Sequence, residues 1–224
     1  MGINNILFTA TGDAITPDEI CEKIACFGYN DAVAQIIQNS KILDKNGEVF
    51  VKCASLILSH FGMTRSGRFK EFEKQREILV NCWTEVGEYL IKIHDSVIKS
   101  GLSRDRYLVE LSEYKLEELI AEIWLITKRV LPFTMGKTSY GLVGASKILF
   151  AVLPEIILPI DNSQWLRVFK TVDLGDVIKR MTSEIQSWEN ATGKKLNEID
   201  YSKKLTTLPS VYNVMSMAAR PKNV

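Results

Sequence analysis

Hydrophobic periodicity most narrows the folds open to this chain, because nearly every periodic segment repeats every three or four residues. The clearest segment, 115–130, places on one stripe Leu116, Leu119, Ile120, Ile123, Trp124 and Thr127. Such a stripe is one face of an α-helix. Similar patterns predict helices over about 30–39, 49–61, 70–100 and 173–191, the third with a break near Gly87. The sequence therefore predicts a mostly α fold.

Turn and cap residues give some of the boundaries. Thr16-Pro17-Asp18-Glu19 predicts a helix start, with an N-cap threonine, proline at the first position and glutamate at the third. Pro132 is expected to end the helix of 115–130. The last piece, 201–224, contains no acid and is expected to lie beside a partner or to fray as a tail.

Composition limits the functional classes without choosing one. The chain has 224 residues, of which 46% are hydrophobic and 25% charged, with a net charge of +1. This composition is typical of a globular protein of one large or two small domains. A strongly basic nucleic-acid binder is not indicated, although an enzyme with a local basic face is compatible with these values.

The cysteine pattern argues against a metal centre. Cys21, Cys26, Cys53 and Cys82 form no C-x-x-C pair, and the chain has only two histidines. We therefore expect free thiols in a reducing cytosol, with no metal and no cofactor. The chain opens with no charged-then-apolar leader and contains no run of about 18 apolar residues. A cytoplasmic location without a membrane partner is expected.

The stretch 131–170 carries the strongest chemical signal. Two glycines, Gly141 and Gly144, precede an apolar run that contains Lys147. Glycines at a helix start let the backbone approach a phosphate, which the N–H groups there attract. Pro159 stops a helix from running through the next residue, so Asp161 is predicted to be an N-cap. This acid is a candidate for catalysis on a nucleic acid, or simply a cap in a helical hairpin.

These residues resemble the signature of the helix-hairpin-helix, Gly/Pro-Asp DNA glycosylases. The resemblance rests on Gly-Leu-Val-Gly (141–144), the apolar helix after it, and Pro159-Ile160-Asp161. In that family a glycine hairpin grips the DNA backbone, and a Pro-x-Asp motif supplies the catalytic aspartate. The resemblance implies a two-lobed helical bundle with the hairpin between the lobes. For a single unit of residues 1–224, we assign one lobe to about 30–130 and the other to 1–29 plus 131–224.

The resemblance also implies roles for individual residues. Asp161 would be the catalytic carboxylate, with Lys147 as a second candidate. The DNA backbone would be held by Lys137, Ser139, Gly141, Gly144, Ser146, Gln164 and Arg167. Phe133, Tyr140 and Trp165 are candidates for the base pocket or for intercalation. In family members that also cut the strand, a lysine lies two residues after the second glycine, whereas Lys147 lies three after Gly144. A monofunctional enzyme is therefore expected.

The implied reaction is hydrolysis of the bond between a base and deoxyribose in double-stranded DNA, which leaves an abasic site. One aspartate can stabilise the oxocarbenium-like transition state and orient the attacking water. The base would be damaged or hypermodified. One branch of similar enzymes acts in phage defence and removes glucosylated hydroxymethylcytosine. A monomer is expected. Two alternatives stay open: a non-catalytic helical DNA-binding module, and a helical protein-interaction protein.

Overall fold

A computed structural model gives the fold. It describes residues 5–65, 69–134 and 139–221, with only the backbone described for Arg65, Ser139 and Tyr140. This part of the chain contains nine α-helices and no strand, so the predicted mostly α fold is confirmed. The helices are α1 (Pro17–Ala25), α2 (Asn30–Asn39), α3 (Glu48–His60), α4 (Phe72–Lys99), α5 (Tyr107–Glu110), α6 (Glu113–Val130), α7 (Ser139–Phe150), α8 (Leu174–Thr192) and α9 (Leu208–Ala218).

The local signals place most helix ends correctly. At the start of α1, the backbone N–H of Glu19 donates to Thr16 Oγ1 over 3.3 Å, and the backbone N–H of Thr16 donates to Glu19 Oε2 over 2.9 Å. This reciprocal pair is the predicted capping box. The break expected near Gly87 is wrong, because α4 continues through it. Gly87 leaves room for the indole of Trp83, with which a β-carbon at that position would collide.

Helix α7 and the segment after it lie at the centre of the molecule. Every residue from 141 to 160 is buried, and α3 and α6 pack against α7. A helix with apolar residues on all sides must be surrounded by other elements. Polar side chains within this stretch are therefore held in the interior, where each needs a partner.

The C-terminal piece is not the tail that the sequence suggested. Residues 208–218 form α9, and nine of its eleven residues are buried. The carboxylate of Glu184 in α8 fixes both chain ends, since it accepts the backbone N–H of Leu7 and, over 2.7 Å, the hydroxyl of Tyr212 in α9. Burial raises the pKa of Glu184. Bonds from Gln164 to Asn213 and Ser216 hold α9 against the segment that carries Asp161.

One continuous apolar core connects the helices. It extends from Ile6 to Met215 and includes buried side chains from every long helix. Helices α2, α3, α4 and α6 pack in succession, while α9 packs on α1 and α8, and α6 also packs along α8. The proposed division into two lobes stays a prediction. The hairpin between lobes is not confirmed, because Gly141 and Gly144 both belong to α7.

A glycine at the start of α3 offers a test of this packing. Gly47 has φ of 78°, and a β-carbon there would overlap the indole of Trp83. We expect Gly47→Ala to lower the free energy of unfolding by about 2 kcal/mol, because backbone strain and overpacking add. Gly12→Ala is the matched control, since Gly12 has φ of 90° but no atom within 4 Å of the added carbon. Urea unfolding should show a loss of only about 1 kcal/mol for the control; equal losses would contradict the packing argument.

Candidate functional site around Asp161

Asp161 is the N-cap of a short helix, as predicted. The backbone N–H of Gln164 donates to Asp161 Oδ1 over 2.7 Å, and the backbone N–H of Asp161 donates to Gln164 Oε1 over 2.7 Å. The helix ends in a π-helical turn, Gln164–Phe169, after which Lys170 takes a left-handed conformation with φ of 54°. The reciprocal bonds fix the orientation of the carboxylate, with Oδ1 bonded to the first turn of the helix.

Ser146 in α7 holds the chain just before Asp161. The backbone N–H of Ile160 donates to Ser146 Oγ over 3.1 Å. The same oxygen lies 3.1 Å from the carbonyl oxygen of Val143 and 3.3 Å from that of Ile160, so the hydroxyl proton has an acceptor. Helix α7 therefore fixes the position of the backbone directly before Asp161. Ser146 is buried, which does not favour the predicted phosphate contact.

Gln164 connects Asp161 to α9. Its Nε2 donates to Asn213 Oδ1 over 2.9 Å and to the hydroxyl of Ser216, while its Oε1 accepts the backbone N–H of Asp161. Gln164, Asn213 and Ser216 are all buried. Gln164 is thus a positioning residue for Asp161, and its burial does not favour the predicted phosphate contact.

The second carboxylate oxygen pairs with an arginine that follows α9. Arg220 Nη1 lies 2.6 Å from Asp161 Oδ2, with 37% of the arginine side chain and 26% of the aspartate side chain exposed. Arg220 Nε also donates to the carbonyl oxygen of Met217 over 2.9 Å. A half-exposed pair of this kind contributes at most about 1 kcal/mol to stability. Asp161 is therefore neither sealed in the interior nor turned towards bulk solvent.

Lys147 lies behind this pair, inside the protein. Its side chain is 3% exposed, and its Nζ donates to the carbonyl oxygen of Phe61 over 3.4 Å, at 5.3 Å from the centre of that residue's ring. Burial lowers the pKa of Lys147 to about 8, and the nearby negative charge of Asp161 limits the fall. No carboxylate of the described residues comes within ion-pair distance of Nζ. A buried cation without a bonded anion lowers stability.

The other acid of the central stretch does not share this environment. Glu155 is 4% exposed and forms an ion pair with Arg104, which also donates to the carbonyl oxygen of Ser40 over 3.0 Å. Burial raises the pKa of Glu155 to about 7, despite the guanidinium beside it. Glu155 therefore has an internal partner, and Asp161 is the acid of this stretch that reaches the surface.

An open groove of about 550 Å³ borders the Asp161–Arg220 pair. Its lining residues are Asn162, Ser163, Leu166, Arg167, Met217, Ala218, Arg220 and Pro221. A second cavity of about 400 Å³ shares three of them, Arg167, Ala218 and Pro221, and adds Lys23 and Lys170. Neither lining set includes an acid. We call the two together the Arg167 groove, and its surface charge favours anions.

A larger cavity, of about 850 Å³, lies between the end of α4 and the start of α6. Its lining mixes Lys99 and Lys115 with Glu110, Glu118 and Glu122. Three carboxylates oppose the entry of a phosphate chain. Volume alone would favour this cavity, but charge favours the Arg167 groove as the place where a nucleic acid could bind.

The remaining predicted site residues are either wholly or partly buried in the protein or lie outside the part of the chain that the structure describes. Gly141 and Gly144 are buried in α7, and a β-carbon at Gly144 would lie 3.0 Å from Thr134. This burial does not favour a phosphate contact, which stays a prediction. Trp165 is fully buried and belongs to the core, which does not favour the predicted base-pocket role. Phe133 is half-buried against the core. Lys137 lies outside the described residues, as do the side chains of Ser139 and Tyr140.

The residues that contact or support Asp161 from distant positions in the sequence were not predicted. Arg220, Asn213 and Ser216 all belong to the C-terminal piece, in which no site residue was predicted. The spacing of Leu208, Val211, Tyr212 and Met215 is a helical signal that would have predicted α9. No local signal connects Arg220 to Asp161, which is 59 positions away.

Comparison with protein-family models, with curated proteins and with solved structures finds no match for this chain. Over residues 5–65, 69–134 and 139–221, no helix has both the length and the apolar character that a membrane span requires. Within the same ranges, no group of three or more histidine, cysteine or acidic side chains is placed to hold a metal ion. Arguments about function therefore depend on the site itself.

Proposed function

We propose that the protein is a DNA N-glycosylase that hydrolyses the base–deoxyribose bond of a flipped, damaged or hypermodified base. The observation that carries the proposal is that an exposed carboxylate and a buried lysine lie close together. A surface carboxylate, Asp161, is held by fixed bonds, and a buried lysine of lowered pKa, Lys147, lies within reach of its charge. A buried ionisable group of strongly shifted pKa close to a charged partner is typical of functional sites.

The proposed chemistry uses Asp161 as the only protein carboxylate at the reacting sugar. As the glycosidic bond breaks, positive charge develops on the anomeric carbon, and an ionised carboxylate stabilises it. The same group orients a water molecule and accepts its proton when the water attacks. The bonds from Gln164 keep the carboxylate in one orientation, so little reorganisation accompanies the reaction.

The Arg167 groove supports the DNA side of the proposal. The part beside Asp161 has a volume of about 550 Å³, within the range of about 300–1,000 Å³ that small-molecule sites have. Leu166 and Met217 offer apolar contacts to a base that has left the stack, and Arg167 lies on the same surface for a phosphate. The expected glycine hairpin is replaced in this account by the basic groove.

The proposal is tested by base release. The protein is incubated with duplexes that carry alkylated, oxidised, mismatched or glucosylated hydroxymethylcytosine bases, and abasic sites are then cleaved with alkali. Strand cleavage on one class of duplex supports the glycosylase and identifies the base. Salt-dependent DNA binding without base release on any duplex indicates a non-catalytic DNA-binding module. Absence of both indicates a helical interaction protein.

A further inference from the structure

Both carboxylate oxygens of Asp161 are occupied in the protein without DNA. Oδ1 accepts the backbone N–H of Gln164, and Oδ2 accepts Nη1 of Arg220. The first bond belongs to the helix cap and persists whenever the helix is folded. The second joins two half-exposed side chains, and such pairs are readily exchanged for other partners. A sugar that approaches Asp161 therefore meets Arg220 first.

Arg220 is also placed to meet a phosphate. It lines the same groove as Arg167, and no acid is present among the lining residues. Its partner Asp161 lies beside the groove. A guanidinium can present two parallel N–H groups to a phosphate, whereas Arg220 donates to Asp161 through Nη1. A DNA strand in the groove would thus offer Arg220 an alternative anion.

We propose that Arg220 exchanges partners when DNA binds, leaving Asp161 for a backbone phosphate. This inference rests on the proposed function, since the incoming anion is a DNA strand. In the protein alone, Arg220 neutralises Asp161 and covers one of its oxygens. In the complex, the phosphate holds Arg220, and Oδ2 becomes available to the anomeric carbon. Oδ2 of Asp161 is therefore released from Arg220 only when a strand is present.

A double-mutant cycle on DNA affinity tests the exchange without any need for base release. Anisotropy of a labelled, unmodified 15-base-pair duplex at low salt is measured for the wild type, Asp161→Asn, Arg220→Gln and the double variant. Asparagine keeps the N-cap, and thermal unfolding checks that all four proteins fold. Asp31→Asn is the matched control, because Asp31 also pairs with a cation, Lys204, at 2.7 Å, and neither residue lines the groove.

Asp161→Asn is expected to tighten DNA binding by about threefold to fivefold, because Arg220 no longer has to leave a carboxylate. In the Arg220→Gln background the same substitution should change affinity less than about twofold, as should Asp31→Asn. An equal gain in both backgrounds would show a general charge effect and overturn the exchange. If none of the proteins binds DNA, both the exchange and the glycosylase proposal fail. If the cycle gives the expected coupling but no base is released, only the proposed reaction fails.

Discussion

Asp161→Asn is expected to slow base release by at least about 100-fold while DNA affinity is kept or improved. Removal of one preorganised electrostatic group from an active site commonly costs a factor of about 10² to 10³. Asparagine keeps the helix cap but carries no negative charge to stabilise the oxocarbenium-like transition state. The measurement is the single-turnover rate of abasic-site formation with enzyme in excess, on whichever duplex the substrate screen identifies.

Two comparisons make this result specific. Asp31→Asn removes one exposed carboxylate away from the groove and should leave the rate within about twofold of the wild type, as surface substitutions usually do. The thermal unfolding temperature of Asp161→Asn should be nearly that of the wild type, because asparagine also caps helices well. A rate for Asp161→Asn close to that of the wild type would mean that Asp161 only caps a helix, and the enzymatic proposal would then be abandoned.

Lys147→Met is expected to stabilise the protein by about 3 kcal/mol at pH 6.5. Burial lowers the pKa of Lys147 from its ordinary 10.5 to about 8. One pKa unit corresponds to about 1.4 kcal/mol, so the charged lysine lowers the free energy of unfolding by roughly that total. Methionine has a similar length and fits an apolar site without this cost. Urea unfolding at pH 6.5 gives the difference.

The pH dependence of this difference follows from proton binding. Between pH 8 and 10.5 the unfolded lysine still holds a proton that the folded lysine has lost. The wild type therefore gains stability as pH rises through this window, and the advantage of Lys147→Met should shrink towards zero by about pH 10.5. Below pH 8 the advantage should be complete.

Lys194→Met serves as the control for the second prediction. Lys194 is exposed in the loop after α8, and its replacement should change stability by less than about 0.5 kcal/mol at every pH. If Lys147→Met proves destabilising at pH 6.5, the buried lysine must have a stabilising partner. Its burial would then not be a sign of function. A lysine that lowers the free energy of unfolding would be kept because the site requires it, since proteins commonly lose stability where activity needs a particular group.

The local features of the site were predictable because they depend on neighbours in the chain. Asp161 follows Pro159-Ile160 and directly precedes the first residue of a helix, so its N-cap role could be predicted from the sequence. The same holds for the capping box at Thr16. Interactions of this kind span three or four positions, which is the range over which backbone hydrogen bonds of a helix operate.

The glycine motif shows where local interpretation was insufficient. Gly141 and Gly144 were expected to expose amides to a phosphate, yet both lie in a buried helix. The apolar residues between and after them favour burial more strongly than the glycines favour a turn, and Thr134 occupies the space that Gly144 leaves. A glycine that permits close packing and a glycine that permits phosphate contact look alike in a sequence.

The sequence by itself determined the helices, their periodic apolar faces and the cap formed by Asp161, since each of these arises from residues within one or two helical turns. Only the tertiary structure decided that Lys147 is buried, that Arg220 reaches Asp161, and that α9 supplies Asn213 and Ser216 to hold Gln164. These contacts connect residues 49 to 86 positions apart. Their formation depends on how complete helices pack around a shared core, which no local pattern encodes.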